Sequence, residues 1–504
     1  MNAQIIFEQR EGGNGIYKFA VMDSGLSYGL GAEKEDQEIH MMIDTSGSMD
    51  ELCSDKNTKL DQIKYVIRNM IRHILEHSQN CGVILSVSSF NQCVNRIITR
   101  VRVEHENMGT LFGQIDKMYA TDQTNIEIAL NALRDSQNSG IVHNIFMSDG
   151  EANNGITDPV KLMELVDNRA FNTFIGFGLE HDPYMFSTLS STQNSKYYFI
   201  SDKEKAGIAY GEILHGILNN VWSNVILVCR GCEVYDYKTN SWVSTLYIGQ
   251  IAASDMRTFH IRRLDEERVN ISLITGDSVI CDTLFEDKYE NMPEMDYRLK
   301  TLQMLYKASN LTKHHKEPWT TDLDVDETQG GVKEIKAEMK ALLREMKAFM
   351  DTQPDIRFMK NLCDDIVVVL RTIGTSYGHM FSCSRQHSQG DERVHTTTPK
   401  NEFDELTNTR LSMMPSRLTR QNSNAPTTVD LYSSNSMDNT QFCLEGHEFD
   451  TIYWGQSAYS LSPQRCPNDD DIDDYVVSNE LDSPYCTDDK LFVIRNVNYT
   501  PKDI

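Results

Sequence analysis

Residues 39–49 read Ile39-His40-Met41-Met42-Ile43-Asp44-Thr45-Ser46-Gly47-Ser48-Met49. A largely apolar run stops at an aspartate, and small hydroxyl residues then flank a glycine. A short apolar run bounded this way predicts a buried strand leaving a sheet. From Leu60 the positions Ile63, Val66, Ile67, Met70, Ile71 and Ile74 recur at helical spacing, so strand, loop and helix follow in that order. The same unit returns along the chain. Strands are expected at 82–90, 96–103, 141–147, 173–177 and 197–200, and helices around 126–133, 159–166, 183–189 and 203–218. Strands alternating with helices imply an α/β fold with a mostly parallel central sheet covered on both faces. The link between the second and third strands is too short for a crossover helix, which predicts an antiparallel edge hairpin there.

Past Val221 the apolar period drops to two. Short strands at 225–229, 243–248, 258–261, 269–274 and 279–281 predict a small β-sandwich, with the strand-like piece at 16–21 a candidate to complete it. From Glu294 helical spacing returns in three stripes: Leu299, Leu302 and Leu305; Ile335, Met339, Leu342, Met346 and Phe349; and Met359, Leu362, Ile366, Leu370 and Ile373. Beyond Ser382 apolar residues become too sparse to offset the entropy of ordering the chain, which predicts a disordered acidic polar tail. The expected organisation is a lead at 1–37, an α/β domain at 38–222, a sandwich at 223–290, helices at 291–382 and the tail at 383–504. The phrase Met380 to Gln389 reads as the junction where ordered helix ends.

The chain has 504 residues and a formal charge of −26. That charge excludes the basic face that nucleic acid or an anionic membrane would need. No apolar run is long enough to span a bilayer, and the start MNAQIIFEQREGGNG lacks a secretory pattern. Eleven scattered cysteines fit reduced thiols better than a disulfide framework. The expected setting is cytoplasmic. Cys229 and Cys232 form a lone C-x-x-C without a second pair at zinc-site spacing, so ordinary buried thiols are expected.

Three pieces of sequence carry the chemistry. Asp44, Ser46 and Ser48 lie beyond the first strand, on a loop that Gly47 is expected to let turn sharply. Thr124 precedes a helix in Thr121-Asp122-Gln123-Thr124-Asn125-Ile126, and Asp149 ends a strand in Met147-Ser148-Asp149-Gly150. In an open α/β sheet, ligand sites form beyond the C-terminal strand ends. All five residues offer hard oxygen donors, which suit Mg²⁺ or Mn²⁺ and disfavour softer metals.

The order and spacing of these pieces resemble the von Willebrand factor A, or integrin I-type, domain. That family carries Asp-x-Ser-x-Ser on a first loop, a Thr on a second and an Asp on a third. The resemblance covers about 38–222 and implies a Rossmann-like fold with a metal-ion-dependent adhesion site. Ser46, Ser48 and Thr124 would bind the metal through hydroxyls, with Asp44 and Asp149 contributing directly or through water. The family's usual Gly-Gly-Thr-Asn is here Asp122-Gln123-Thr124-Asn125, a departure that bears on loop shape and local charge. The resemblance implies a non-catalytic interaction module, a scaffold or adaptor, whose metal takes an Asp or Glu carboxylate from a partner protein. The order of domains also resembles intracellular relatives, some of which carry a ubiquitin-ligase module. No RING-type run of paired Cys and His is visible, which leaves a ubiquitin-pathway adaptor as an alternative. A second alternative is a Mg²⁺-dependent phosphatase of the haloacid-dehalogenase kind. Such an enzyme needs a second Asp two residues after the first, and that position is Ser46. No catalytic residue is assigned.

Overall fold

The computed structural model describes residues 2–391 apart from 10–13, 23–35, 54–56, 78–81, 137–139, 179–180, 201–202, 253–255, 265–268, 277, 283–292, 313–330, 353–356 and 374–377. Two strands come first, β1 (Asn2–Gln9) and β2 (Asn14–Met22), and pair antiparallel. The alternating region then runs β3 (Gln37–Asp44), α1 (Lys59–His77), β4 (Val83–Phe90), β5 (Val94–Arg102), α2 (Met108–Ile115), α3 (Ile126–Asp135), β6 (Val142–Ser148), α4 (Pro159–Met163), β7 (Phe171–Phe177), α5 (Pro183–Leu189), β8 (Ser195–Ile200) and α6 (Lys203–Leu218). Its six strands lie in the order β5-β4-β3-β6-β7-β8, all parallel except the antiparallel pair β4–β5. The fold class is therefore α/β, and the edge hairpin stands where the short link placed it.

Every residue of β3 and β6 is buried, as expected of central strands covered on both faces. On one face the stripe Ile63, Ile67, Ile71 and Ile74 of α1 packs with residues of α2 and α6. On the other, Leu130 of α3, Leu162 of α4 and Phe186 of α5 pack against Phe146 and Phe174 of the sheet. The chain thus leaves β3 toward one face and β6 toward the other. Between these adjacent strands a crevice opens at their C-terminal ends, the switch point where α/β sheets hold ligands.

The sandwich that follows comprises β9 (Asn220–Arg230), β10 (Cys232–Asp236), β11 (Ser241–Val243), β12 (Thr245–Ala252), β13 (Met256–Arg263), β14 (Asn270–Thr275) and β15 (Ser278–Asp282). Its sheets have the orders β1-β2-β13-β10-β11 and β12-β9-β14-β15. β2 completes the first sheet by pairing with β13, and β1, absent from the sequence reading, adds an outer strand. Four helices close the described chain: α7 (Pro293–Thr312), α8 (Val332–Met350), α9 (Arg357–Thr372) and α10 (Gly378–Gly390). Leu305, Met339, Leu343, Met346, Leu362 and Ile366 form the core of the first three. Among the described residues no helix is long and apolar enough to cross a membrane.

One boundary needs correction. Order does not end at Ser382: α10 continues to Gly390, and every residue from Gly378 to Gln389 is buried. The helix is mostly polar and carries no long amphipathic stripe, yet it is covered by distant partners, apolar ones around Met380 and Phe381 and polar ones around Arg385 and Gln389. The expected tail from 392 onward lies outside the described residues.

A buried histidine in β6 makes the α/β core sensitive to acid. His143 stacks on Phe171 and its Nε2 hydrogen-bonds Gln37 Oε1 at 3.1 Å. Burial pushes its imidazole down from 6.5 to about 3, so the folded protein keeps it neutral. As pH falls, the unfolded chain takes up this proton first. The stability contribution is therefore complete above pH 6.5 and is lost between 6.5 and 3, at up to about 1.4 kcal/mol per pH unit. Urea unfolding at pH 7 and pH 5 should show a shallower loss in His143→Gln than in the wild type. Comparing the two isolates His143 from Asp44 and Asp365, whose raised values act with the opposite sign. Equal losses would show that the imidazole is not held neutral.

Candidate metal centre

The crevice between β3 and β6 is built by three loops that bond one another through their backbones. Thr45 N donates to Phe90 O at 2.8 Å, Gly47 N to Asp122 O at 3.0 Å and Thr121 N to Thr45 O at 2.8 Å. Asn153 and Asn154 N both donate to Thr124 O, at 3.1 and 3.2 Å. Asn153 Oδ1 in turn accepts from Thr124 N at 2.8 Å. Asn125 caps α3 by accepting from Ile128 N at 3.2 Å, which sets Thr124 just ahead of that helix. Asp122 sits at φ 66°. This left-handed conformation favours glycine but is open to a short polar residue. Asp122 thus forms a turn of the kind glycine would also permit. Gly47 behaves otherwise than expected. A Cβ there would meet only Asp122 O, at 3.5 Å and without a left-handed φ, and residues Gly47–Asp50 form a 3-10 turn.

All five predicted residues converge. Ser46 N donates to Asp44 Oδ1 at 2.8 Å, and Ser148 Oγ donates to Asp44 Oδ2. The Ser46 and Ser48 hydroxyl oxygens lie 3.1 Å apart, and Ser48 Oγ donates to Asp149 Oδ1 at 2.8 Å. Thr124 Oγ1 and Ser48 Oγ both face Gly150, lying 3.4 and 3.6 Å from where a Cβ would stand. Asp44, Ser46, Thr124 and Asp149 are buried. Burial pushes the Asp44 carboxyl up to about 6; the hydrogen bond from Ser148 opposes this, and the negative charge of Asp149 adds to it. Two carboxylates held together out of water repel each other, so the arrangement favours a bound cation.

Three participants were missed in the sequence. Ser148 orients Asp44, and Gly150, having no side chain, leaves clear the spot 3.4 and 3.6 Å from the Thr124 and Ser48 hydroxyls. Lys59, the first residue of α1, donates from Nζ to Asp149 Oδ2 at 2.7 Å and to Glu51 Oε2 at 2.6 Å. Burial acts against its ammonium, but the charge and hydrogen bond of Asp149, then those of Glu51, outweigh this and raise its pKa. A lysine opening a helix faces an unfavourable dipole.

The donor chemistry fits a hard divalent cation. It offers carboxylate and hydroxyl oxygens only, with no thiolate or imidazole. Among the described residues no group of three or more His, Cys, Asp and Glu is placed to hold a metal. Cys229 and Cys232 are buried free thiols.

No family model matches the chain, and no curated protein matches it in sequence. Solved structures similar to it include a von Willebrand factor type A protein from Catenulispora acidiphila, at 13% identity and a TM-score of 0.48, covering 74% of this chain and 89% of that one. The ArnB paralog VWA2 from Sulfolobus acidocaldarius matches at 12% identity and a TM-score of 0.46, covering 78% of this chain and 100% of that one. Proximal thread matrix protein 1 from the mussel byssus, with a zinc-occupied MIDAS motif, matches at 15% identity and a TM-score of 0.31, over 39% of this chain and 49% of that one.

Proposed function

We propose that this protein is a metal-dependent protein-interaction module of the von Willebrand factor A type, acting as a non-catalytic scaffold or adaptor. The observation that carries this reading is the convergence of Asp44, Ser46, Ser48, Thr124 and Asp149 from three loops onto the β3–β6 crevice. These residues would hold Mg²⁺ or Mn²⁺. When bound, the cation supplies an electrophilic centre that only two protein carboxylates neutralise, and an acidic group from a partner can complete its shell. Ser148 and the Ser46 backbone orient Asp44, while the surrounding loops keep water from the carboxylates, which strengthens their electrostatics. The hydroxyl donors are poor general bases at neutral pH, which favours binding over hydrolysis. Large apolar side chains stand exposed on the neighbouring loops, Leu52 at 73% and Tyr119 at 74%. A partner segment with an Asp or Glu beside apolar residues would suit this rim.

Affinity capture tests the reading. Wild-type protein should retain partners in Mg²⁺ and lose them in chelator, and Asp44→Ala should lose the same partners in both conditions. Partners retained equally under all conditions would sink the proposal. Gly150→Ala gives a finer test, because its methyl group would lie 3.4 and 3.6 Å from the Thr124 and Ser48 hydroxyl oxygens. Calorimetry should show cation affinity weakened by about tenfold, in the range seen when the surroundings of a metal are disturbed. The melting temperature in chelator should stay near that of the wild type. Unchanged affinity would place the cation away from these hydroxyls.

A further inference from the structure

We propose that Lys59 is a built-in counter-cation of this centre, holding Asp149 when no divalent ion is present, so that a metal must displace its ammonium in order to bind. This inference rests on the reading of the crevice as a cation site and adds a gate to it. Asp149 has both carboxylate oxygens engaged: Oδ1 accepts from Ser48 Oγ at 2.8 Å and Oδ2 from Lys59 Nζ at 2.7 Å. Ser48 is itself a candidate ligand, so its bond to Asp149 is compatible with a shared cation. The ammonium is not. A unit positive charge within hydrogen-bonding distance of a ligand carboxylate repels an incoming dication, and does so strongly where water is scarce. The side chains of Lys59 and Asp149 are 10% and 0% exposed, whereas that of Glu51 is 54% exposed.

This asymmetry supplies an exit. Lys59 already grips Glu51 Oε2 at 2.6 Å, so its ammonium can leave Asp149 and stay paired by following Glu51 toward solvent. Glu51 adjoins Leu52, whose backbone bridges to Thr58 directly before Lys59. Arrival of a cation would therefore move a positive charge onto the rim beside an exposed apolar residue, where an acidic partner segment would meet it. Lys59 acts here as a positioning residue: in the empty state it keeps two buried carboxylates from repelling each other unopposed, and it sets how much cation is needed to open the site.

The test measures Mg²⁺ and Mn²⁺ binding by calorimetry on the full chain, for wild type, Lys59→Met and Lys59→Arg. It is paired with melting in chelator and at saturating cation. Lys59→Met should bind at least about tenfold tighter. It should also melt lower than wild type in chelator and show the larger rise on adding metal, whereas Lys59→Arg should stay close to wild type. A direct measurement on the wild type complements the variants and does not depend on their folding. Acylation of Lys59, read by mass spectrometry, should be suppressed in chelator and rise several-fold in saturating Mg²⁺. Equal or weaker affinity in Lys59→Met, or labelling of Lys59 that ignores bound Mg²⁺, overturns the gate and leaves the metal centre standing. Failure of both folded wild type and folded Lys59→Met to bind either cation removes the centre itself, and the gate with it.

Discussion

Asp44→Ala is expected to weaken Mg²⁺ and Mn²⁺ binding by about a hundredfold or more, with the fold intact. Disturbing groups that merely support a metal ligand typically costs about 10–100-fold, and Asp44 supplies one of only two carboxylates. The variant's behaviour without metal should be the unusual part. Asp44 lies fully buried with Asp149 close enough to raise its pKa, so in chelator its charge is a burden on the folded state. Removing it leaves Ser46 N and Ser148 Oγ without an acceptor, a cost of about 1–3 kcal/mol for each group that water cannot reach, while relieving the repulsion. The two effects oppose, so the melting temperature in chelator should differ little from that of the wild type. The rise in melting temperature on adding Mg²⁺, present in the wild type through ligand linkage, should vanish. A variant that keeps that rise would show the cation to be held elsewhere.

Asp44 and Asp149 were legible as candidates because each terminates a buried strand, where a charged residue has to face the crevice. The apolar stripe of α1 and the short β4–β5 link were legible because burial and chain length dictate them locally. What escaped notice depended on neighbours distant in sequence. α2 contains Gly109 and Gly113, which weaken helix propensity, and it is held by burial of Leu111 and Ile115. A single residue separates β9 from β10, which joins the opposite sheet. A single positive-φ residue, Gly231 at 68°, makes that change of sheet, and it is too brief to register as a turn between two strands. Lys59 is not legible in the sequence because only tertiary structure brings it to Asp149, ninety residues away. α10 is the clearest case. Its serines, histidines and glutamines read as the start of a solvated tail, since hydrophobic periodicity cannot signal a helix stabilised by polar partners.

Arg385→Ala should therefore be among the most damaging single changes in the chain, costing about 3–5 kcal/mol. Arg385 Nη1 donates to Asp365 Oδ1 at 2.6 Å, and Gln389 Nε2, one turn later on α10, donates to Asp365 Oδ2 at 2.6 Å. The Arg385 and Asp365 side chains are only 3% and 2% exposed. Burial holds the Asp365 carboxyl up at about 6 even with Arg385 working against it. Without the guanidinium a buried charge stands unopposed, and proton uptake by Asp365 limits the loss. The damage should spread, because α10 contacts the α/β region, the sandwich and the neighbouring helices α7 and α9. Met380 and Phe381 pack in the same cluster as Phe186 and Phe199 of the α/β region. His379 Nδ1 bonds Ser309 O at 2.8 Å, and Gln386 Nε2 donates to Tyr237 O in the sandwich at 2.6 Å. Urea unfolding followed by near-ultraviolet circular dichroism should show the midpoint falling accordingly, and a shift worth less than about 1 kcal/mol would refute this role for the Arg385–Asp365 pair. The double variant Arg385→Met, Asp365→Leu should recover much of the loss, because replacing a buried ion pair with apolar side chains is often close to neutral. Recovery in the double variant but not in the single one would locate the cost in the orphaned carboxylate rather than in lost helix packing.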